Sequence, residues 1–297
     1  MTNKAPRGRF APSPTGPLHF GSLVAAVGSY LNIKTRGGHW LVRIEDLDPP
    51  REQPGAADSI LKTLEAFGLE WDEPVVYQGQ RSELYDEAIQ LLGEKGLTYY
   101  CQCSRKEIAD DSEPGIEGPR YTGTCREKNL GPRNNSLRVK VPDESFSISD
   151  AVQGAIQQNL QRDIGDFVLR RRDGLYSYQL AVVVDDAIQG ITEVCRGTDL
   201  ILSTLRQVYL QQVLDYPTPE YVHLPVAVNE HGQKLSKQTY AAPVPETGDP
   251  AQLARALQFL GQKLPAELAG APTAELIEWG VNYWDLSAVP GTLAISV

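Results

Sequence analysis

Residues 8–22 read Gly-Arg-Phe-Ala-Pro-Ser-Pro-Thr-Gly-Pro-Leu-His-Phe-Gly-Ser, and they limit the fold more than any other stretch. Residues 9–11 predict a short buried strand that stops where Pro12 and Pro14 withdraw backbone donors. Gly16 and Pro17 set a turn, and Gly21 lets the backbone come close to whatever sits above it. Residues 22–33 then carry apolar side chains at helical spacing. Gly37 and Gly38 turn the chain into a second apolar strand at 40–46. Two buried strands joined by a helix form a βαβ unit, which calls for a parallel sheet covered by helices. The first amides of a helix are unpaired and its dipole favours negative charge, so the turn is a candidate anion site with His19 at its mouth. On this stretch alone, a phosphate pocket and a rigid proline connector carrying an ordinary loop histidine are equally good readings.

A second stretch decides between them. Asn229-Glu-His-Gly forms a turn, and Gln233-Lys-Leu-Ser-Lys-Gln238 follows. Two lysines flanking a serine in a loop suit a triphosphate whose leaving pyrophosphate gathers charge. The pair resembles the two signatures of the class I aminoacyl-tRNA synthetases, His-Ile-Gly-His and Lys-Met-Ser-Lys-Ser, present here as His19-Phe-Gly-Ser22 and Lys234-Leu-Ser-Lys-Gln238. Ser22 and Gln238 depart from those signatures, so the role of a second imidazole does not transfer. Arg43-Ile-Glu-Asp-Leu-Asp-Pro-Pro-Arg51 is similar to the glutamyl and glutaminyl branch of the same family.

Length and charge narrow the alternatives. A chain of 297 residues suits about two domains. A net charge of −10, from 28 basic and 38 acidic side chains, speaks against a general nucleic-acid binder. It leaves room for an enzyme that meets RNA over a small basic patch, and Arg170-Arg-Arg172 is a candidate, although such a run also reads as a solvated hairpin edge. The N-terminus has no apolar leader and no apolar run is long enough to span a bilayer, so a cytoplasmic location is expected. No Gly-x-Gly-x-x-Gly and no Walker motif occurs, which removes dinucleotide and P-loop readings.

Along the chain, Glu45, Asp46 and Asp48 follow the second strand, where open α/β sheets bind ligands; Glu45 is read as functional and the other two as structural acids. Helices are expected at 55–67, 82–95, 251–262 and 273–280, and at 199–214 with Asp199 as N-cap. Strands are expected at 97–101, 136–141 and 221–228, with two short strands about the Asp173-Gly174 turn, and another central strand from 191 that leaves Arg196 at its C-terminal end. The segment 178–187 runs back into the core. Cys101, Cys103 and Cys125 fall within twenty-five residues of a chain expected to hold no disulfides. They read as thiolates for a metal or as three buried free thiols, with Tyr121 at a plausible ligand spacing. Cys195 reads as a core residue.

The resemblance covers most of residues 8–240. It implies an α/β fold, a Rossmann-type parallel sheet split into 1–96 and 166–242, a zinc-binding insertion at 97–165 and a small helical segment at 243–297. With no large anticodon-binding module, the nearest group is the truncated paralogues of glutamyl-tRNA synthetase that attach glutamate to the queuosine base of tRNA(Asp). The resemblance then implies roles. His19, Lys234 and Lys237 would be catalytic, with His19, Gly21, Ser22 and Lys237 on ATP and its Mg²⁺. Arg9, Ser13, Glu45, Tyr178 and Arg196 would hold glutamate, the arginines taking carboxylates and Glu45 the ammonium. Cys101, Cys103, Tyr121 and Cys125 would close one structural Zn²⁺ site. L-glutamate, ATP and queuosine-bearing tRNA(Asp) are the expected partners of a monomeric chain. The rival readings are a shortened synthetase charging a tRNA 3′ end, a non-catalytic tRNA-binding relative, and a nucleotidyltransferase acting on a small acid.

Overall fold

The computed structural model describes residues 5–111, 114–235 and 242–297. Strand β1 (Arg7–Phe10) runs parallel to β2 (His39–Ile44), with Gly8 opposite Trp40, and α1 (Phe20–Lys34) is the crossover between them. This is the βαβ unit expected from the first stretch. Helix α2 (Ala56–Ala66) leads to β3 (Val76–Tyr77), which pairs parallel with β2, and α3 (Ser82–Glu94) leads away from the sheet.

An insertion follows, made of β4 (Thr98–Cys101), α4 (Arg105–Asp111), the small hairpin β5 (Pro114–Gly115) and β6 (Gly118–Pro119), then β7 (Ser136–Val139). A longer hairpin comes next, β8 (Ser145–Asp150) and β9 (Gly154–Asn159), then α5 (Leu160–Asp163) and β10 (Val168–Arg170). Strand β7 lies antiparallel between β4 and β10.

The chain re-enters the first layer with α6 (Tyr178–Ile188), β11 (Glu193–Gly197), α7 (Thr204–Val213) and β12 (Glu220–Leu224), and β11 and β12 are parallel. The Thr192 N–H donates to the Arg7 carbonyl at 2.9 Å, which sets β11 beside β1. The layer therefore runs β3-β2-β1-β11-β12. Strand β13 (Val226–Val228), α8 (Pro250–Phe259), α9 (Thr273–Tyr283) and β14 (Ala294–Ser296) complete the chain, with β14 parallel to β13.

Strand β2 is buried at five of its six positions, as a parallel strand covered on both faces must be. On one face, α1 packs with α8 and α9; on the other, α3, α6 and α7 form a second apolar core. Helix α1 is apolar nearly all round because it lies between the sheet and the C-terminal helices. It lies close to both. A Cβ on Gly28 would stand 2.4 Å from Leu224 Cδ1, and one on Gly280 would stand 2.9 Å from Leu31 Cδ2.

Of the two short strands expected about the Asp173-Gly174 turn only β10 forms, the other side being a single bridge from Tyr176 to Arg170, and two further expectations need correction. Residues 199–214 are not one helix, and Asp199 is not its N-cap: a 3₁₀ segment, Thr198–Ser203, precedes α7. The Arg196 guanidinium donates to the Leu200 carbonyl, the group a continuous α-helix would give to Thr204, and the Thr204 N–H turns to the Ile201 carbonyl instead. The strand expected at 221–228 breaks at Pro225, which has no N–H to give, into β12 and β13 with different partners. The apolar run in 178–187 is helix, with the Ser177 hydroxyl accepting the Leu180 N–H at its start.

Candidate active site

The C-terminal ends of β1, β11 and β12 meet the N-terminus of α1 around a cavity of about 690 Å³. Arg9, Ser13, His19, Gly21, Ser22, Glu45, Tyr178, Arg196 and Lys234, singled out from sequence, all line it. Lys237 and Gln238 lie outside the described residues. This is the place where open parallel sheets bind ligands, because the strand ends converge there with helix N-termini.

His19 is the N-cap of α1. Its Nδ1 accepts the Ser22 N–H at 3.2 Å, and its Nε2 stands 3.1 Å from Ser22 Oγ. With Nδ1 as acceptor, a neutral ring carries its proton on Nε2 and donates it to Oγ, so the Ser22 hydroxyl proton points onward. Ser22 thus extends the imidazole by one hydrogen bond. Gly21 lies against the His19 ring and beside the Lys234 loop: a Cβ there would lie 3.3 Å from the ring, a tight approach, and 3.5 Å from the Leu235 carbonyl. Lys234 Nζ meets the Asp199 carboxylate at 2.5 Å on the cavity wall.

Beside this anion-facing rim lies a buried charge cluster. Arg9 gives Nε and Nη2 to the two oxygens of Asp186 at 3.0 and 3.2 Å. Arg43, fully buried on β2, donates to Asp186 at 2.8 Å and to Gln189 Oε1 at 2.7 Å. Burial works against the Asp186 carboxylate, but Arg9 and Arg43 together outweigh it and hold its pKa below the ordinary value. Asp185, next along α6, accepts from Gln78, Arg81 and Tyr85.

Arg196 differs from Arg9. Its partners are all neutral: His223 Nε2 at 3.2 Å, the Tyr178 hydroxyl at 3.2 Å, Thr204 Oγ1 at 2.9 Å and the Leu200 carbonyl at 3.4 Å. A buried guanidinium with no carboxylate among these partners is suited to receive an anionic ligand. Four of its five N–H donors are used, which leaves one on Nη1. Tyr178 accepts from that same nitrogen, so its own hydroxyl proton is not used in that bond. Glu45 is the counterpart. Its Oε1 is buried with no hydrogen-bond partner, and Arg43 Nη2 is 3.8 Å away. Burial pushes its carboxyl up to about 7, against the pull of Arg43 and Arg9.

Asp46 and Asp48, read as structural acids, have protein partners: Asp46 accepts the Gly79 N–H at 2.7 Å, and Asp48 pairs with Arg51 and Arg171. The arginine run is also committed, with Arg170 on Asp86, Arg171 on Asp48 and Asp173, and Arg172 on the Gln102 carbonyl. Sequence reasoning missed Arg43, Asp185, Asp186, Asp199 and His223 as parts of the site. The signal for three of them was a charge inside an apolar run, in Trp-Leu-Val-Arg43-Ile and Val-Val-Val-Asp185-Asp186. Cys195, read as core, is buried in β11 and also reaches the cavity wall.

In the insertion, Cys101, Cys103 and Cys125 bring their sulfurs within 4.8 Å of one another, and none is in a disulfide. Cys103 Sγ and Cys125 Sγ are 3.5 Å apart, near the ~3.8 Å that tetrahedral Zn–S bonds of about 2.3 Å require. The Tyr121 hydroxyl enters the same cluster, 3.2 Å from Cys101 Sγ and 3.9 Å from Cys103 Sγ. Burial opposes ionisation of Cys125, but hydrogen bonds led by that of Tyr121 bring its thiol down to about 7. The donor set fits a closed metal site, and these residues could hold a metal ion.

A family model for class I tRNA synthetases (E and Q), catalytic domain, matches residues 6–262. The chain belongs to this family. Among the relatives of this class I synthetase is the glutamyl-Q tRNA(Asp) synthetase of Dechloromonas aromatica (strain RCB), 55% identical over 291 residues that cover 97% of each chain. The protein of the same name from Neisseria meningitidis serogroup B is 52% identical over 287 residues, 95% of this chain and 97% of that one. The crystal structure of glutamate-tRNA synthetase from Elizabethkingia anophelis matches with a TM-score of 0.79 at 25% identity, over 99% of this chain and 68% of that chain. The expected family and α/β class are therefore the ones found. No helix among the described residues of this synthetase is long and apolar enough to cross a membrane.

Proposed function

We propose that this chain joins ATP and L-glutamate to form glutamyl-adenylate without help from tRNA, then transfers glutamate to the queuosine base of tRNA(Asp). The observation that carries the reading is the pairing, in one cavity, of the carboxylate-free guanidinium of Arg196 with the unpartnered oxygen of Glu45. A cation for a carboxylate and an anion for an ammonium describe an amino acid. Arg9, half occupied by Asp186, stands for the second carboxylate, with Ser13 and Tyr178 as hydrogen-bonding neighbours. The substrate carboxylate attacks the α-phosphorus of ATP, a pentavalent centre forms, and pyrophosphate leaves. Such a step asks for placement and charge neutralisation, which His19, the start of α1, Lys234, Lys237 and the Mg²⁺ of ATP would supply. Gly21 and Ser22 would border the nucleotide. A nucleophile of the queuosine base then attacks the mixed anhydride and AMP leaves. The names of the curated relatives support the acceptor, and the reading takes the chain as a cytoplasmic monomer.

The test is glutamate-dependent ATP–pyrophosphate exchange in the absence of tRNA, followed by labelled-glutamate transfer to tRNA(Asp) with and without queuosine. Exchange without tRNA and transfer only to queuosine-bearing tRNA(Asp) are expected. Exchange that needs tRNA(Glu), with charging of its 3′ end, would replace this reading with that of a shortened conventional synthetase.

Glu45 gives the reaction a pH dependence of known sign. Its folded-state pKa near 7 lies above the ordinary 4.5, so the folded chain prefers the protonated form and its ionisation costs stability as pH rises between those values. An ammonium ligand binds the ionised form. The KM for glutamate is therefore expected to climb as pH falls below about 7, approaching tenfold per pH unit, while the KM for ATP follows a different course. Steady-state exchange from pH 5.5 to 8.5 checks this, and Glu45→Gln should flatten the profile at a high KM.

Cys101, Cys103, Tyr121 and Cys125 would hold one structural zinc, which ties β4 to the loop before β7. Metal analysis of protein purified without chelator should find about one zinc per chain, and Cys125→Ala should lose it. Active protein free of metal would remove this role.

A further inference from the structure

Arg196 rests on a second row of residues that the adenylation reading does not use. Its Nε–H is directed at His223 Nε2, 3.2 Å away, and the same nitrogen stands 3.1 Å from Thr204 Oγ1. His223 is fully buried on β12, and its ring is stacked on Tyr221 with centroids 6.0 Å apart. On the far side, Nδ1 is 2.7 Å from Asp150 Oδ2. Asp150 also accepts the backbone N–H groups of Val152, Gln153 and His223 at 3.0, 2.8 and 3.1 Å. A carboxylate with that many donors stays ionised and acts only as an acceptor.

The proton positions follow. Asp150 can only accept, so Nδ1 carries a proton. The Arg196 Nε–H can only donate, so Nε2 must offer its lone pair. One neutral tautomer, Nδ1–H, satisfies both neighbours. A second proton on the ring would set an N–H against a guanidinium in a buried place; burial holds the His223 pKa below its ordinary value, in spite of Asp150. The arrangement consumes Nε of Arg196 and leaves one Nη1 N–H, beside the Tyr178 hydroxyl, with both residues lining the cavity.

We propose that His223 is a positioning residue for amino-acid recognition: locked as the Nδ1–H tautomer by Asp150, it holds Arg196 by Nε–H so that the Nη1 edge meets the substrate carboxylate. This rests on the reading of Arg196 as a carboxylate seat. Asp150 ends β8, so the insertion supplies the anchor of a residue row that terminates in the sheet's own cavity.

Two amides separate the roles of the ring nitrogens. Glutamine places a carbonyl near Nε2 and keeps an acceptor for Arg196, whereas asparagine places its amide near Nδ1 and loses that acceptor. In glutamate-dependent pyrophosphate exchange, His223→Gln should keep the KM for glutamate within about threefold of wild type. His223→Asn should raise it about ten- to a hundredfold, the range for losing a hydrogen bond to a charged group, with the KM for ATP and the kcat little changed. Asp150→Asn should move the ring proton to Nε2 and raise the glutamate KM likewise. The chain has four histidines, so ¹⁵N imidazole spectra can follow the tautomer directly. Equal effects of Asn and Gln on both KM values and kcat, with matching losses of Tm, would make His223 a core filler and overturn the proposal. So would an Nε2–H signal assigned to His223 in the wild type, or an unchanged glutamate KM in His223→Asn. Wild-type protein that shows no glutamate-dependent exchange, with or without tRNA, would instead overturn the reading of Arg196, and this inference with it.

Discussion

Replacing Arg196 with leucine is expected to raise the KM for glutamate by about two orders of magnitude or more, while the KM for ATP stays within a few fold. A charge-assisted hydrogen bond in a desolvated site contributes about 1.5–3 kcal/mol, and leucine removes the ligand's counter-charge as well. The side chain is 5% exposed, so the leucine fits an environment already lined by Leu200 and Leu224 and folding should survive. Arg196→Lys should recover little, because an ammonium cannot reach His223, Thr204 and Tyr178 at once from one planar fork. Pyrophosphate exchange at varied glutamate and ATP, with a thermal melt of each variant, measures both sides. An equal loss for ATP and glutamate would place Arg196 outside amino-acid recognition.

Asp186→Ala is the variant expected to damage the fold most. It leaves the guanidinium groups of Arg9 and Arg43 buried without their shared carboxylate. Removing one partner from a buried ion pair costs about 3–5 kcal/mol, which for a chain of this size lowers Tm on the order of 10 °C. The sign with pH is fixed by the depressed pKa: the stabilisation is complete above the unfolded value of 3.8 and is lost as pH falls through the lower folded value. The deficit of Asp186→Ala relative to wild type should therefore be constant at neutral pH and shrink only in strong acid. Calorimetry at pH 7 and pH 3 reads it out. A variant as stable as wild type would mean that the two arginines find other partners or water.

The contrast between these two arginines explains what the sequence could disclose. Arg9 and Arg196 both stand at strand ends beside apolar residues, and the chain text treats them alike. Only the crossing of α6 under the sheet brings Asp186 to Arg9, while Arg196 has no acid among its partners in the described residues. That pairing spans 177 positions of sequence, so no local pattern carries it. What local patterns did carry was the βαβ start, the helices at 56–66 and 82–94, and the loop lysine, because proline, glycine and apolar period act within a few residues. The failure at Asp199 has the same origin. Asp is a good N-cap by local chemistry, but the helix is delayed by a guanidinium arriving from β11, and the freed carboxylate is taken by Lys234. The cysteine cluster was legible because its members are close in sequence, and the Tyr121 hydroxyl, singled out with them, lies 3.2 Å from Cys101 Sγ and 3.9 Å from Cys103 Sγ.

The missing side chain at Gly28 has a consequence for anyone who engineers this protein. Exchanging a mid-helix glycine for alanine is a common route to thermostability, worth up to about 1 kcal/mol through the unfolded chain. Here the new methyl would arrive 2.4 Å from a methyl of Leu224, itself packed in the core. Either Leu224 turns out of its place or α1 rises from β12, and the rim formed by His19 and Gly21 rises with the helix. Packing in the core and the position of the cavity rim are thus coupled at one residue. Libraries that reward residual fold after heating would therefore keep the glycine, as screens on turnover would.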